Sequence, residues 1–232
     1  MNLYIVTGTT RGLGAALARR IALDPSNELV AIDRGQADFA DGAAVERACD
    51  EIERRIAGKA YAKAVLINNA GIVAPVAPLD RADAGEIERN LTVNLIAPMR
   101  LMGRFIRMTP AVPVRRVINI SSGAGRRPVF GWGAYCAAKA GLDMASRVLA
   151  LEAETRGLAL EVSSLAPGVI DTPMQETLRA SNASDFVDIE RFRAMKAEGT
   201  LRPPDEVAAD ILRLEAAGKL RGDPVQDLRQ LA

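Results

Sequence analysis

Tyr135 and Lys139 stand four residues apart in Tyr135-Cys136-Ala137-Ala138-Lys139, a spacing that puts both on one face of a helix. A phenol titrates near ~10, too high for a base at neutral pH. A nearby ammonium favours the phenolate, and an opposite charge at hydrogen-bonding range shifts a pKa by roughly 1–3 units. The pair can therefore act as general acid and base, although the same spacing alone also describes an ordinary pair on a helix surface. Upstream, Asn119-Ile120-Ser121-Ser122-Gly123 closes an apolar run. A serine at the C-terminal end of a strand faces the ligand crevice of an open α/β sheet. Ser122 is thus placed to donate to a carbonyl oxygen that Tyr135 protonates, and Ser121 should point to the opposite face.

What the chain lacks narrows the chemistry further. Its 232 residues include no histidine, which excludes Ser-His-Asp and Cys-His catalysis and every imidazole-built metal site. No metal is expected. Two cysteines, Cys49 and Cys136, cannot make a structural zinc site alone and point to a reducing compartment. Thirty Lys+Arg against 29 Asp+Glu leave a net charge of +1, with no basic excess to drive nucleic-acid binding. Met1 to Val6 reads as a strand and not as a signal peptide, and no run of apolar residues is long enough to span a membrane. A cytoplasmic protein is expected.

A second constellation concerns phosphate. Thr7-Gly8-Thr9-Thr10-Arg11-Gly12-Leu13-Gly14 follows the first apolar run and opens a helical pattern. Glycines there let a pyrophosphate approach a helix N-terminus, where free N–H groups and the dipole favour an anion. The spacing is G-x-x-x-G-x-G and not the commoner G-x-G-x-x-G, so context has to support it. Asp33 ends the next strand about 20 residues on, where a carboxylate binds adenosine ribose hydroxyls. Asp33 favours NAD(H), because a carboxylate repels a 2′-phosphate; Arg11 and Arg34 are suited to that phosphate and keep NADP(H) open. Asn68-Asn69-Ala70-Gly71 follows the central strand, where small residues let the backbone pass close to a cofactor. Pro167-Gly168-Val169-Ile170-Asp171-Thr172 follows a later one, and its backbone can hydrogen-bond a carboxamide.

These groups need a scaffold that carries them to one edge. Short apolar runs at Leu3–Val6, Leu29–Ile32, Val65–Ile67, Val117–Ile120 and Leu160–Leu165 alternate with helical patterns at Gly14–Leu23, Gly42–Ile56, Ala84–Met108 and Ala134–Arg156. Several runs are apolar at consecutive positions, as strands covered on both faces should be. Strand and helix in alternation predict a Rossmann-like doubly wound parallel sheet in three layers, α/β/α. The absence of linkers or repeats predicts a single domain over residues 1–232. The segment Arg34–Ala37 leaves no room for a helix, so the crossover there is trimmed to a loop. Residues 172–200 are polar with scattered Met174, Leu178, Phe186, Phe192 and Met195 and read as a lid of short helices.

Taken together, the motifs resemble the short-chain dehydrogenase/reductase family over nearly the whole chain. The matching residues are Thr7 to Gly14, Asn68 to Gly71, Asn94 in Val93-Asn94-Leu95, Ser122, Tyr135 with Lys139, and Pro167-Gly168 with Thr172. The resemblance implies that Tyr135 is the acid/base and that Lys139 binds the nicotinamide ribose and lowers the tyrosine pKa. It implies that Ser122 orients the carbonyl and that Asn94 holds a water in a proton relay. Asp38 and Phe39 resemble the adenine-contacting pair, and Asn69 the cofactor-side asparagine. Asn90 lies outside the motif and reads as a helix-face residue. Gly131 to Lys139 and Ala166 to Gln175 look like the sepiapterin reductase and benzil reductase branch, which reduces carbonyls beside another carbonyl or an aromatic ring.

The function implied is NAD(P)-dependent reduction of a ketone, diketone or aldehyde to an alcohol. The alternative weighed is a non-catalytic NAD(P)-binding sensor or partner subunit on the same fold; an epimerase or dehydratase is a third. The partners expected are a small carbonyl or alcohol substrate and further copies of the chain, as a homodimer or homotetramer through the helices Ala84–Met108 and Ala134–Arg156.

Overall fold

The computed structural model describes residues 1–231. Six strands form one parallel sheet: β1 (Asn2–Thr7), β2 (Asn27–Ile32), β3 (Lys63–Asn68), β4 (Arg115–Ile120), β5 (Leu160–Ala166) and β6 (Val225–Asp227), in the order β2-β1-β3-β4-β5-β6. The order reverses between β1 and β3, which opens a crevice at their C-terminal ends. Helices α1 (Gly12–Ala22), α2 (Gly42–Ile56), α3 (Ala84–Leu91), α4 (Ala97–Met108), α5 (Gly133–Thr155), α6 (Pro173–Arg179), α7 (Ile189–Ala197), α8 (Pro204–Ala216) and the short α9 (Leu228–Leu231) complete the described residues.

Successive side chains on a strand point to opposite faces, and the core divides accordingly. Leu3 and Ile5 of β1 join Leu66, Val117 and Val162 in one cluster with residues of α2 and α4, including Val45, Ile52, Leu101 and Phe105. Tyr4 and Val6 join Val65, Ile67, Ile118 and Leu165 on the other face, under Leu17 and Ile21 of α1 and Val207, Ile211 and Leu214 of α8. This is the three-layer, doubly wound α/β/α arrangement expected from the alternation of runs. Asp41 caps α2 by accepting from the Ala43 N–H at 2.8 Å, and Asp83 caps α3 by accepting from Glu86 N–H at 2.9 Å, each satisfying a free N-terminal donor.

One expectation needs correction, and two elements were missed. The pattern read as one helix over Ala84–Met108 is α3 and α4 joined by a π turn at Thr92–Ile96. Strand β6 and helix α8 were not anticipated. β6 is three residues long and only its last is buried, so it presents no apolar run. The trimmed crossover is confirmed: residues 33–41 form turns, leaving β2 at the sheet edge. Ala37 and Phe39 of this loop tuck into the core at 3% and 7% exposure. No described helix is long and apolar enough to cross a membrane.

Candidate active site

The glycine turn after β1 is shaped by close backbone contacts. Gly8 and Gly12 have φ of +72° and +58°, a region that disfavours side chains. A Cβ at Gly14 would lie 2.1 Å from the Gly8 carbonyl oxygen, so the first turn of α1 can approach β1 only with glycine there. Asn69 laces this turn to the end of β3. Its Nδ2 donates to the carbonyls of Thr7 (2.9 Å) and Gly8 (3.2 Å), while Thr7 Oγ1 accepts from the N–H groups of Asn69 and Ala70. The first turn of α1 carries no acidic residue and no side-chain cap. Its N–H groups are thus available to an anion. This is a cradle that suits a dinucleotide pyrophosphate.

Helix α5 brings a polar stripe to the sheet. Tyr135, Ala138, Lys139, Leu142, Asp143 and Ser146 are among its buried positions, spaced by three and four as one face requires. Ser146 Oγ accepts from Asn119 Nδ2 at 2.8 Å, and Asn119 Oδ1 accepts from Asn68 Nδ2 at 2.8 Å, a ladder crossing β3, β4 and α5. Asp143 Oδ1 accepts from Ser164 Oγ at 2.6 Å. Lys139 Nζ donates to the Ile120 carbonyl at 2.8 Å and lies 5.7 Å from the centroid of the Tyr135 ring.

One cleft of about 560 Å³ connects these parts. Of the residues singled out in the sequence, Gly8, Thr10, Arg11, Gly12, Leu13, Arg34, Asp38, Phe39, Asn69, Ala70, Gly71, Ser122, Tyr135, Lys139, Pro167, Gly168, Ile170 and Thr172 line it. Its other end is apolar, with Val73, Val129, Trp132, Met174, Leu178 and Phe192 on the wall. Trp132 meets Tyr135 edge to face at 5.5 Å and stacks on Phe186 at 5.3 Å. Helices α6 and α7 thus cover this end through Leu178, Ile189 and Phe192. Phe130 is exposed, and Met195 does not reach the cleft.

Two of the expected catalytic and cofactor-binding residues do not line the cleft. Asp33 Oδ1 accepts from the N–H groups of Gly35 (2.8 Å) and Gln36 (3.3 Å), closing its own turn. Asn94, fully buried, lies one layer behind the wall. Its Nδ2 donates to the Ile72 carbonyl and to Asn90 Oδ1, both at 2.8 Å, and its Oδ1 accepts from the Ile72 N–H at 3.1 Å. A Cβ at Gly71 would lie 2.8 Å from that Oδ1 and 3.8 Å from Lys139 Nζ. Asn90 is not a helix-face residue but fully buried, and its Nδ2 holds the Ala74 carbonyl at 2.6 Å and Val73 at 3.3 Å. Ser121, expected to point to the opposite face, also lines the cleft beside Ser122 with its buried hydroxyl unpartnered, and a residue missed in the sequence is Gln175, a buried amide on α6 with Oε1 unpartnered. Orphaned polar atoms were invisible in the sequence because they depend on what the fold fails to bring near.

Electrostatics also depart from expectation. Burial pushes the Tyr135 phenol up to about 12, with the Ser122 hydroxyl working in the other direction. Burial pulls the Lys139 ammonium down to about 8, opposed by Asp143. Here desolvation is the largest influence on both groups, so the phenol keeps its proton at neutral pH. A protonated Tyr135 beside Ser122 is a pair of hydroxyl donors, suited to an oxygen that gains negative charge.

Known proteins similar to this chain place it in a family. Residues 27–183 match the family model for short chain dehydrogenase. A benzil reductase ((S)-benzoin forming) of Bacillus subtilis (strain 168) is 37% identical over 235 residues, covering 96% of each chain. A sepiapterin reductase of Meriones unguiculatus is 29% identical over 90% of this chain and 89% of its own. The crystal structure of the KRED1-Pglu enzyme superposes with a TM-score of 0.80 at 25% identity, covering 92% of this chain and 94% of that one. The chain therefore belongs to the short-chain dehydrogenase/reductase family, in which it is similar to the benzil reductase and sepiapterin reductase branch.

Proposed function

We propose that the protein is an NADPH-dependent carbonyl reductase acting on a ketone flanked by a second carbonyl or an aromatic ring. The observation that carries this reading is the single cleft that joins an anion-ready glycine turn to an apolar pocket, with Tyr135 and Lys139 on its wall. Gly8 to Leu13, Asn69 to Gly71 and Pro167 to Thr172 would hold the dinucleotide, which when bound supplies the hydride. Tyr135 donates a proton to the carbonyl oxygen, and the Ser122 hydroxyl hydrogen-bonds the same oxygen. Lys139 contributes positive charge next to the phenol, which favours the tyrosinate left behind. Asn94 and Asn90 fix the Ile72–Ala74 loop, so their role is to shape the wall beside Lys139.

The choice of NADP(H) over NAD(H) reverses the lean given by Asp33 alone. That carboxylate serves its own turn and lies off the cleft, while Arg34 and Arg11 line it with no carboxylate partner among the described residues. Asp38, also on the wall, is paired with Arg89 at 3.3 Å. The apolar pocket and the benzil reductase relative support an aryl 1,2-diketone as substrate. The test is oxidation of NADPH and NADH in parallel against benzil, a pterin ketone and aliphatic aldehydes. Turnover of the diketone with NADPH is expected. Failure to bind either reduced nucleotide would overturn the reading.

We also propose self-association through α4 and α5, which carry exposed Met99, Met144, Val148 and Leu151, with Ile96 just before α4.

A further inference from the structure

Lys139 is 4% exposed, and its one side-chain hydrogen bond goes to a neutral carbonyl, that of Ile120. A neutral acceptor alone compensates poorly for burying an ammonium. One turn further along the same buried face of α5 stands Asp143, also 4% exposed. Its Oδ1 is held by the Ser164 hydroxyl at 2.6 Å, and its Oδ2 has no hydrogen-bond partner. The turn at Gly123–Gly125 closes over the backbone between the two residues. A Cβ at Gly125 would lie 2.9 Å from the Lys139 carbonyl carbon and 3.0 Å from Asp143 Oδ2, which leaves no room for water there.

We infer that Asp143 is a positioning residue: a buried counter-charge, fixed by Ser164, that keeps Lys139 an ammonium in the closed wall of the cleft. The inference rests on the reading of Lys139 given above. A carboxylate with a single hydroxyl donor and one longer ion pair to a partly exposed arginine is costly to bury. Its presence is explained if its charge is used. The other groups facing this pair are few. Tyr135 precedes Lys139 by one turn. Asn94 approaches from the π turn and Ser122 from the end of β4, both neutral. Arg126 Nε lies 3.6 Å from Asp143 Oδ2 on the solvent side and is 35% exposed there, so water screens it more than it screens the buried lysine. Arg127 and Arg229 line the same cleft.

The sign follows directly. Removing the negative charge makes the ammonium less favourable, so Lys139 loses its proton at lower pH. The experiment is Asp143→Asn in the full chain, which keeps the shape and an acceptor for Ser164. The first readout is NMR titration of lysines labelled at the ε-carbon, without added nucleotide. The chain has only five lysines, and Lys139→Arg identifies the signal. The second is the pH profile of kcat/KM with NADPH and a diketone.

In Asp143→Asn the Lys139 midpoint should fall by about one pH unit or more. The alkaline limb of activity should move the same way, with roughly twofold loss near neutrality that approaches about tenfold near pH ~9 and recovers as pH is lowered. Ser164→Ala should move the midpoint in the same direction by less, and it carries the test if Asp143→Asn does not fold. An unmoved Lys139 midpoint would overturn the inference, whatever happens to activity. An enzyme inert towards every ketone would instead overturn the proposed reaction and leave the titration to decide the role of Asp143.

Discussion

Lys139 lies beneath the ring of Tyr135, 5.7 Å from its centroid, and donates its hydrogen bond to Ile120 instead. Both groups are buried, and burial moves them in opposite directions, the phenol up to about 12 and the ammonium down to about 8. The charged lysine is therefore held against its own solvation, and this has a consequence for stability. The ordinary lysine value is 10.5, so the folded chain releases this proton before the unfolded chain does. Between about 8 and 10.5 the unfolded state binds more protons, and this site makes the protein more stable as pH rises. The full effect is on the order of 3 kcal/mol. Lys139→Met should accordingly remove this pH dependence: relative to the variant, the parent should gain about 1–3 kcal/mol of stability between neutral pH and pH ~10, while the variant loses turnover. Urea melts of both proteins at the two pH values check it; a stability difference that stays the same at both would contradict it.

Tyr135→Phe removes one oxygen from a ring that Trp132 already supports edge to face at 5.5 Å. The packing should survive, so the change isolates the proton donor. Turnover should fall by roughly 10²–10⁴, with NADPH affinity within about threefold of the parent, because the glycine turn and Lys139 are untouched. Steady-state kinetics and nucleotide fluorescence titration measure the two separately. A variant that kept a tenth or more of the parent turnover would remove Tyr135 from the proposed chemistry.

Much of this was legible from residue order alone. The five apolar runs gave β1 to β5, because a strand covered on both faces must be apolar at successive positions. The glycine turn was legible since only glycine meets the demands at Gly8, Gly12 and Gly14. Helix α8 was missed although Val207, Ala208, Ile211 and Leu214 repeat at helical spacing; its apolar face is the cover of α1, and nothing local announces that partner. The orientation of Asp33 was not legible either. Its side chain chooses between a ligand and its own turn, and that depends on the Gly35 and Gln36 N–H groups being free. The π turn around Asn94 is a one-residue distortion with no compositional signature, yet it sets which loop the asparagine holds.

Asp33 and Arg34 separate two ways of choosing a cofactor. If the arginine reads a 2′-phosphate, as proposed, Arg34→Ala should raise the KM for NADPH about tenfold, the size of a lost charge-assisted hydrogen bond. The KM for NADH should change by less than about twofold, since that nucleotide offers no phosphate there. Asp33→Ala should leave both KM values near the parent and lower stability by about 1 kcal/mol, because the turn at Gly35 and Gln36 loses its acceptor. A large rise in the NADH KM on changing Asp33 would instead assign the carboxylate to the ribose.

The exposed apolar side chains of α4 and α5 make the last test. Leu151 is 63% exposed, Met144 56% and Val148 46%, all on α5. They sit three or four residues apart, so they form one stripe along the helix. Such a stripe, flanked by Met99 of α4 and Ile96 just before it, is what the proposed interface would bury, and burying it in a second copy would add roughly 25 cal/mol per Å² of apolar area. Val148→Glu with Leu151→Glu places two carboxylates in that stripe without touching the buried face that holds Lys139 and Asp143. Light scattering behind size exclusion should show the parent as a dimer or tetramer and the double variant as a monomer of about half or a quarter the mass. A monomeric parent would end the proposal, whereas a monomeric variant that still binds NADPH would show that the glycine turn functions without the partner.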